Sequence, residues 1–109
     1  MANDLIVDEF GINFVMGVSF DMSSNTSLEF KFLKPDQETY LTKVGVLGAT
    51  ELVTSVGTFA ANTWAYYTFV DGDLDQDGTW KAELKYNDAD PTQLYSTIAE
   101  FEVNANLSG

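Results

Sequence analysis

The run Asp73-Leu74-Asp75-Gln76-Asp77-Gly78 carries more chemistry in its spacing than any other part of this sequence. Carboxylates at alternate positions, followed by glycine, open a calcium loop: oxygen ligands come from the first, third and fifth places, and the glycine makes the sharp turn. Asp71 would be a further ligand. The loop is incomplete, because its twelfth place, where a bidentate glutamate should close the coordination sphere, is Leu84. The residues after Gly78 also alternate as a strand does, where an EF-hand would continue into a helix. Two readings stand: a looser calcium site on Asp73, Asp75 and Asp77, and an acidic turn leading into a half-buried strand. The second needs no metal, and no cofactor is expected.

Other catalytic chemistry lacks residue types. The chain has no histidine and no cysteine, and its five basic residues are all lysine. A Ser-His-Asp arrangement, a histidine base and a thiol nucleophile are therefore excluded, as is the arginine fork that usually clamps anions. No glycine-rich phosphate loop is present. The carboxylate neighbours Asp8 and Glu9, or Glu100 and Glu102, would have to face each other across a cleft to serve a glycosidase. The chain is expected not to be an enzyme. The remaining candidates are aromatic: Trp64, Tyr66, Tyr67 and Phe69 cover both faces of one run. Exposed Tyr and Trp are favoured at interfaces, so these four are interface candidates. The alternatives are that the domain covers this strand on both sides, or that the rings stack on sugars.

The elements that must hold these residues read as strands. Ile12, Phe14, Met16, Val18 and Phe20 are apolar at every second position; so are Leu28, Phe30 and Phe32, then Trp80, Ala82, Leu84 and Tyr86; Tyr95, Thr97, Ala99, Phe101 and Val103 alternate in the same way with Ser96, Ile98, Glu100 and Glu102. This alternation marks half-buried strands. Turn residues separate the runs at 21–27, at Lys34-Pro35-Asp36, at Asp71-Gly72, at Asp77-Gly78 and at 87–91. Residues 40–47 and 49–56 read as two strands joined at Gly48, and 63–70 as a strand in the sandwich centre. No helical spacing occurs. The expectation is an all-β, immunoglobulin-like antiparallel β-sandwich of about seven strands over residues 12–109, with residues 1–11 as a first strand or an arm.

Length and charge narrow the partners. With 109 residues and 45% hydrophobic content the chain suits one domain with a real core. Its net charge of −12 and scattered lysines oppose nucleic acid and anionic membrane as partners. Without cysteine there is no disulfide frame. The start, Met1-Ala2-Asn3-Asp4, is not a signal peptide, and no run reaches the length of a membrane span. The expectation is a complete product made in the cytoplasm without a signal peptide.

Gly78-Thr79-Trp80-Lys81-Ala82 has the glycine, aromatic and small-residue pattern that begins the sixth strand of immunoglobulin-like domains, where the aromatic anchors the corner between sheets. Trp80 stands where Tyr is usual, and Ala82 where antibody domains have Cys. Pro35, Gly78 and Trp80 are thus the structural turn residues. Two segments carry a wider resemblance: 27–36, Ser-Leu-Glu-Phe-Lys-Phe-Leu-Lys-Pro-Asp, and 72–83, Gly-Asp-Leu-Asp-Gln-Asp-Gly-Thr-Trp-Lys-Ala-Glu, followed by Phe101-Glu102-Val103. In order and spacing, from about residue 12 to 103, the chain resembles small immunoglobulin-like virion proteins of tailed bacteriophages, related to the N-terminal domain of phage baseplate upper proteins. That family runs a strand into a Lys-Pro-Asp-Gly turn; here Gln37 replaces the glycine.

The resemblance implies a structural protein of the virion. The first expectation is a capsid decoration or cement protein that clamps the shell through protein–protein contacts, with the major capsid protein as partner and a homo-oligomeric assembly. The alternatives are a tail, neck or baseplate component, with tail and baseplate proteins as partners, and a carbohydrate-binding module for attachment to the host surface.

Overall fold

A computed structural model describes residues 5–55, 57–90 and 92–105, and every regular element among them is a strand. In chain order these are β1 (Leu5–Ile6), β2 (Asn13–Gly17), β3 (Asn25–Leu33), β4 (Tyr40–Val44), β5 (Val46–Leu47), β6 (Leu52–Thr54), β7 (Gly57–Phe59), β8 (Trp64–Thr68), β9 (Gly78–Asp88), β10 (Gln93–Tyr95) and β11 (Ala99–Asn104). A large sheet runs β1-β11-β9-β3-β4, with β10 also on β9; a smaller one runs β2-β8-β5; β6 and β7 form a hairpin. The chain is an all-β sandwich. The groups β3-β9-β11 with β4, and β2-β8-β5, match the C-F-G with C′ and the B-E-D groupings of immunoglobulin-like domains.

Seven strands fill those places, and four short ones are added: β1, the β6–β7 hairpin and β10. One added pairing departs from the antiparallel expectation. β1 runs parallel to β11, with Leu5 opposite Val103 and Ile6 opposite Asn104. Residues 5 and 6 are therefore sheet, while residues 1–4 of the expected strand or arm lie outside the described residues.

Alternation explains the core. Leu28, Phe30 and Phe32 of β3 and Trp80, Ala82, Leu84 and Tyr86 of β9 are buried, while Glu29, Lys31, Lys81, Glu83 and Lys85 point away. From the small sheet, Met16, Ala65 and Tyr67 join them, with Phe69 just past β8. Phe14 sits in the middle of the inter-sheet layer, its ring centroid 5.3 Å from Phe32, 5.9 Å from Phe30 and 5.0 Å from Phe101. Edge-to-face and tilted pairs of this kind add stability beyond the area they bury.

Two stretches differ from the sequence expectation. The run 40–47 is not one strand: after Val44 the chain leaves the large sheet, and at Val46 it joins β8 in the small one. The run 49–56 contributes only β6, which turns back as β7 and places Phe59 over Gly17; Val56 lies outside the described residues. The second difference is a β-bulge. Tyr95 stands opposite Lys85 and Ala99 opposite Ala82, so residues 96–98 face only 83–84. Ser96 fills the irregularity, its amide donating to the Leu84 carbonyl (2.8 Å) and its hydroxyl accepting from the Leu84 amide (2.9 Å). The extra residue reverses the facing: Tyr95 shares the outer face with Lys85, not the inner face with Phe101.

The two segments that carry the resemblance meet in space. A Cβ on Gly78, whose φ is +128°, would stand 2.8 Å from Pro35, so only glycine fits there. The Lys34 ammonium donates to both Asp75 oxygens (2.8 and 2.9 Å), and Gln76 donates to Asp36 (3.2 Å). The turn at 34–37 closes with the Gln37 amide donating to the Lys34 carbonyl. Asp36 caps it, accepting from Thr39 Oγ1 and from the amides of Glu38 and Thr39, and these bonds hold its carboxyl well below the usual range. Gln37 adopts φ 62°, a left-handed conformation that glycine reaches at no steric cost. The strain of the turn falls on Gln37. Gln37→Gly is therefore expected to raise stability by about 0.5–1 kcal/mol, read as an upward shift of the urea midpoint; an unchanged or lower midpoint would mean that Gln37 makes a compensating contact.

Candidate functional site

The three carboxylates of the acidic turn do not converge. Asp73 is buried; it accepts hydrogen bonds from the Tyr67 hydroxyl and the Val70 amide (2.9 Å), and its other oxygen lies 3.4 Å from the Lys43 ammonium. Asp75 pairs instead with Lys34. Asp77 is exposed. Among the described residues no group of three potential metal ligands is close enough to hold an ion. The calcium reading of Asp73, Asp75 and Asp77 is corrected accordingly: two of the carboxylates are consumed as separate structural anchors.

Tyr67 is held protonated. Burial raises the pKa of its hydroxyl well above the ordinary 10.0, and the hydrogen bond to Asp73 and the charge of Asp73 raise it further. The folded state favours the neutral phenol, so its contribution is whole below pH 10 and is lost as pH rises above the unfolded value. Urea midpoints of the wild type and Tyr67→Phe, compared between pH 9 and pH 11, are expected to show a steeper alkaline loss in the wild type; parallel curves would remove Tyr67 from this role.

The aromatic candidates divide between the faces of β8. Tyr67 and Phe69 face the core and are buried. Trp64 lies on the other face, yet it too is buried: its indole N–H donates to the Thr50 carbonyl (2.7 Å), and a side chain at position 48 would overlap its ring. Of Trp64, Tyr66, Tyr67 and Phe69, only Tyr66 keeps partial exposure. The expectation of an exposed aromatic platform is corrected: the chain covers its own central strand from both sides. Pro35, Gly78 and Trp80, by contrast, all stand at the corner, with Trp80 fully buried and its indole N–H donating to the Gln76 carbonyl (3.0 Å).

The surface with the most usable chemistry is the outer face of the large sheet. Its rows follow from the register. Val44, Glu29, Lys85 and Tyr95 form one; Thr42, Lys31 and Glu83 the next; Tyr40, Leu33, Lys81 and Glu100 the third. Charges alternate along and across the strands. The three lysines not engaged with Asp73 or Asp75 all stand here, and Lys31 lies 4.4 Å from the centre of the Tyr40 ring. Tyr40, Val44, Tyr95 and Ile98 are 50–78% exposed. A shallow groove of about 240 Å³ opens between Tyr40 and Ile98, over Leu33 and the stems of Lys31 and Lys81. Sequence reasoning placed the alternating charges and Ile98 on this face but missed Tyr95, because the bulge that turns it outward has no marker in the pattern; Ser96 is its only local trace. No protein-family model, curated protein or solved structure matches the chain.

Proposed function

We propose that this chain is a non-enzymatic structural protein of a tailed-phage virion, and first of all a capsid decoration or cement protein that binds the shell through protein–protein contacts. The observation that carries the reading is the outer face of the large sheet, with exposed Tyr40, Val44, Tyr95 and Ile98 among alternating lysines and glutamates. Aromatic and apolar residues ringed by charge suit contact with another protein chain, the kind of homo-oligomeric contact through which a decoration protein assembles, leaving the remaining surface for the shell, and the shallow groove is far from the enclosing cleft that catalysis or small-ligand binding uses. The virion context rests on the resemblance of segments 27–36 and 72–83. A tail or baseplate place draws on that same resemblance, whereas a sugar-stacking role loses its motive with Trp64, Tyr67 and Phe69 inside the fold.

The test is copy number per virion, by quantitative mass spectrometry of purified particles. A count comparable to the major capsid protein is the expected result. A count of a few would move the protein to the neck, tail or baseplate, and absence from particles would overturn the virion reading.

A further inference from the structure

We propose that the outer face of the large sheet is where a second copy of this chain docks, face to face, about a two-fold axis running along the strands between β3 and β9. The inference does not rest on the virion reading; it rests on charge and register.

The chain has a net charge of −12, so two copies repel through most of their surfaces. This face is the exception. Lys31, Lys81 and Lys85 stand among Glu29, Glu83, Glu100 and Glu102, three charges against four, so this face is close to balance. Their arrangement is self-complementary. Rotation about the proposed axis lays β3 of one copy over β9 of the other without moving the rows. Glu29 then meets Lys85 of the second copy, and Lys31 meets Glu83 of the second copy, each pair formed twice by symmetry. The flanking residues match as well. Val44, at the edge of the first row, comes to lie over Tyr95 at its other edge, and Tyr40 comes to lie near Ile98, which stands beside the third row.

The alternative in-plane axis, across the strands, also opposes the charges, but it lays Val44 over Thr42 and leaves Tyr95 without an apolar partner. The observations therefore favour the axis along the strands. The face is four strands wide, from β4 to β10 or β11; at about 4.8 Å between strands, with a nine-residue β3 rising about 3.3 Å per residue, it measures roughly 19 by 30 Å. That is below the ~800 Å² that each partner gives a standard interface, the size of a weak, concentration-dependent dimer. The bulge contributes the apolar part, since a regular strand would have kept Tyr95 on the inner face.

Sedimentation velocity of the full chain over a range of concentrations tests the proposal, with thermal unfolding to show that each variant is folded. The wild type is expected to pass from monomer to dimer as concentration rises. Lys31→Glu sets like charges against each other at two symmetry-related places, and is expected to raise the dissociation constant about tenfold or more. Adding Glu83→Lys restores opposite charges about this axis, and is expected to bring the constant back to within about threefold of wild type. About the cross-strand axis the same double exchange would add a second repulsion instead. A chain that stays monomeric at the highest concentration overturns the proposal. So does a dimer that Lys31→Glu leaves intact, or one that the double exchange fails to restore.

Discussion

Trp80→Ala is expected to remove about 3–5 kcal/mol of stability, the usual range for a fully buried tryptophan. Trp80 has no exposed surface. Its ring stacks on Phe101 at 5.9 Å with 28° between planes, and the Lys34 ammonium lies 5.8 Å from its centre. It is also the point where three parts of the chain meet: the 34–37 turn, the acidic turn that supplies the Gln76 carbonyl, and β11. Alanine would leave a cavity bordered by Phe101, with that carbonyl unpaired. Domains of this size have total stabilities of about 5–15 kcal/mol, so the variant should be close to unfolding. Trp80→Tyr keeps an aromatic ring, the residue usual at this corner, and should cost about 1–2 kcal/mol for lost volume and the lost hydrogen bond. Urea denaturation followed by far-ultraviolet circular dichroism measures both without relying on the tryptophan signal. A loss under about 1 kcal/mol for the alanine variant would mean that the corner is held elsewhere.

The corner was legible because its residues are local and unusual. Pro35, Gly78 and Trp80 each have few conformational or packing alternatives, and a glycine two places before a large aromatic describes the turn almost alone. Alternation located β3 and β9 equally well, since one face of each is buried against the small sheet and the other is open, and the sequence pattern carries that contrast. Legibility failed where one face did not stay one face. Tyr95 keeps the parity of Ala99, Phe101 and Val103 yet points the other way, because one residue is added between Tyr95 and Ala99. Gly45 lies inside a run that reads as a single strand, and there the chain changes sheets. The aromatics of β8 failed for a different reason. A run apolar on both faces looks the same whether a partner or the chain itself covers the second face. Here the loop around Gly48 and Thr50 covers Trp64, a contact between residues 14 apart that no periodicity encodes. The candidate interface was partly legible: its charges and Ile98 follow the alternation of β3, β9 and β11, while Tyr95 depends on the bulge.

The acidic turn yields the second large effect, and the effect is unequal. Asp73→Ala is expected to cost about 3 kcal/mol, since it leaves a buried hydroxyl and an amide without their acceptor and removes the counter-charge of Lys43. Asp75→Ala should cost about 1 kcal/mol or less: the Asp75 side chain is 47% exposed, and Lys34 has a flexible stem with which to seek water. Asp77→Ala, at an exposed position, should fall within about 0.5 kcal/mol of wild type. A calcium loop would behave otherwise. Its ligands act as a unit, so each alanine would abolish the same calcium-dependent gain in stability, and the wild type would be stabilised by calcium through mass action. Urea denaturation of the three variants with and without calcium chloride separates the two cases. Graded losses that ignore calcium are expected, because Asp73 binds the central strand of the small sheet to the edge of the large one, while Asp75 secures only the turn beside it. Equal losses that vanish when calcium is withheld would restore the metal reading.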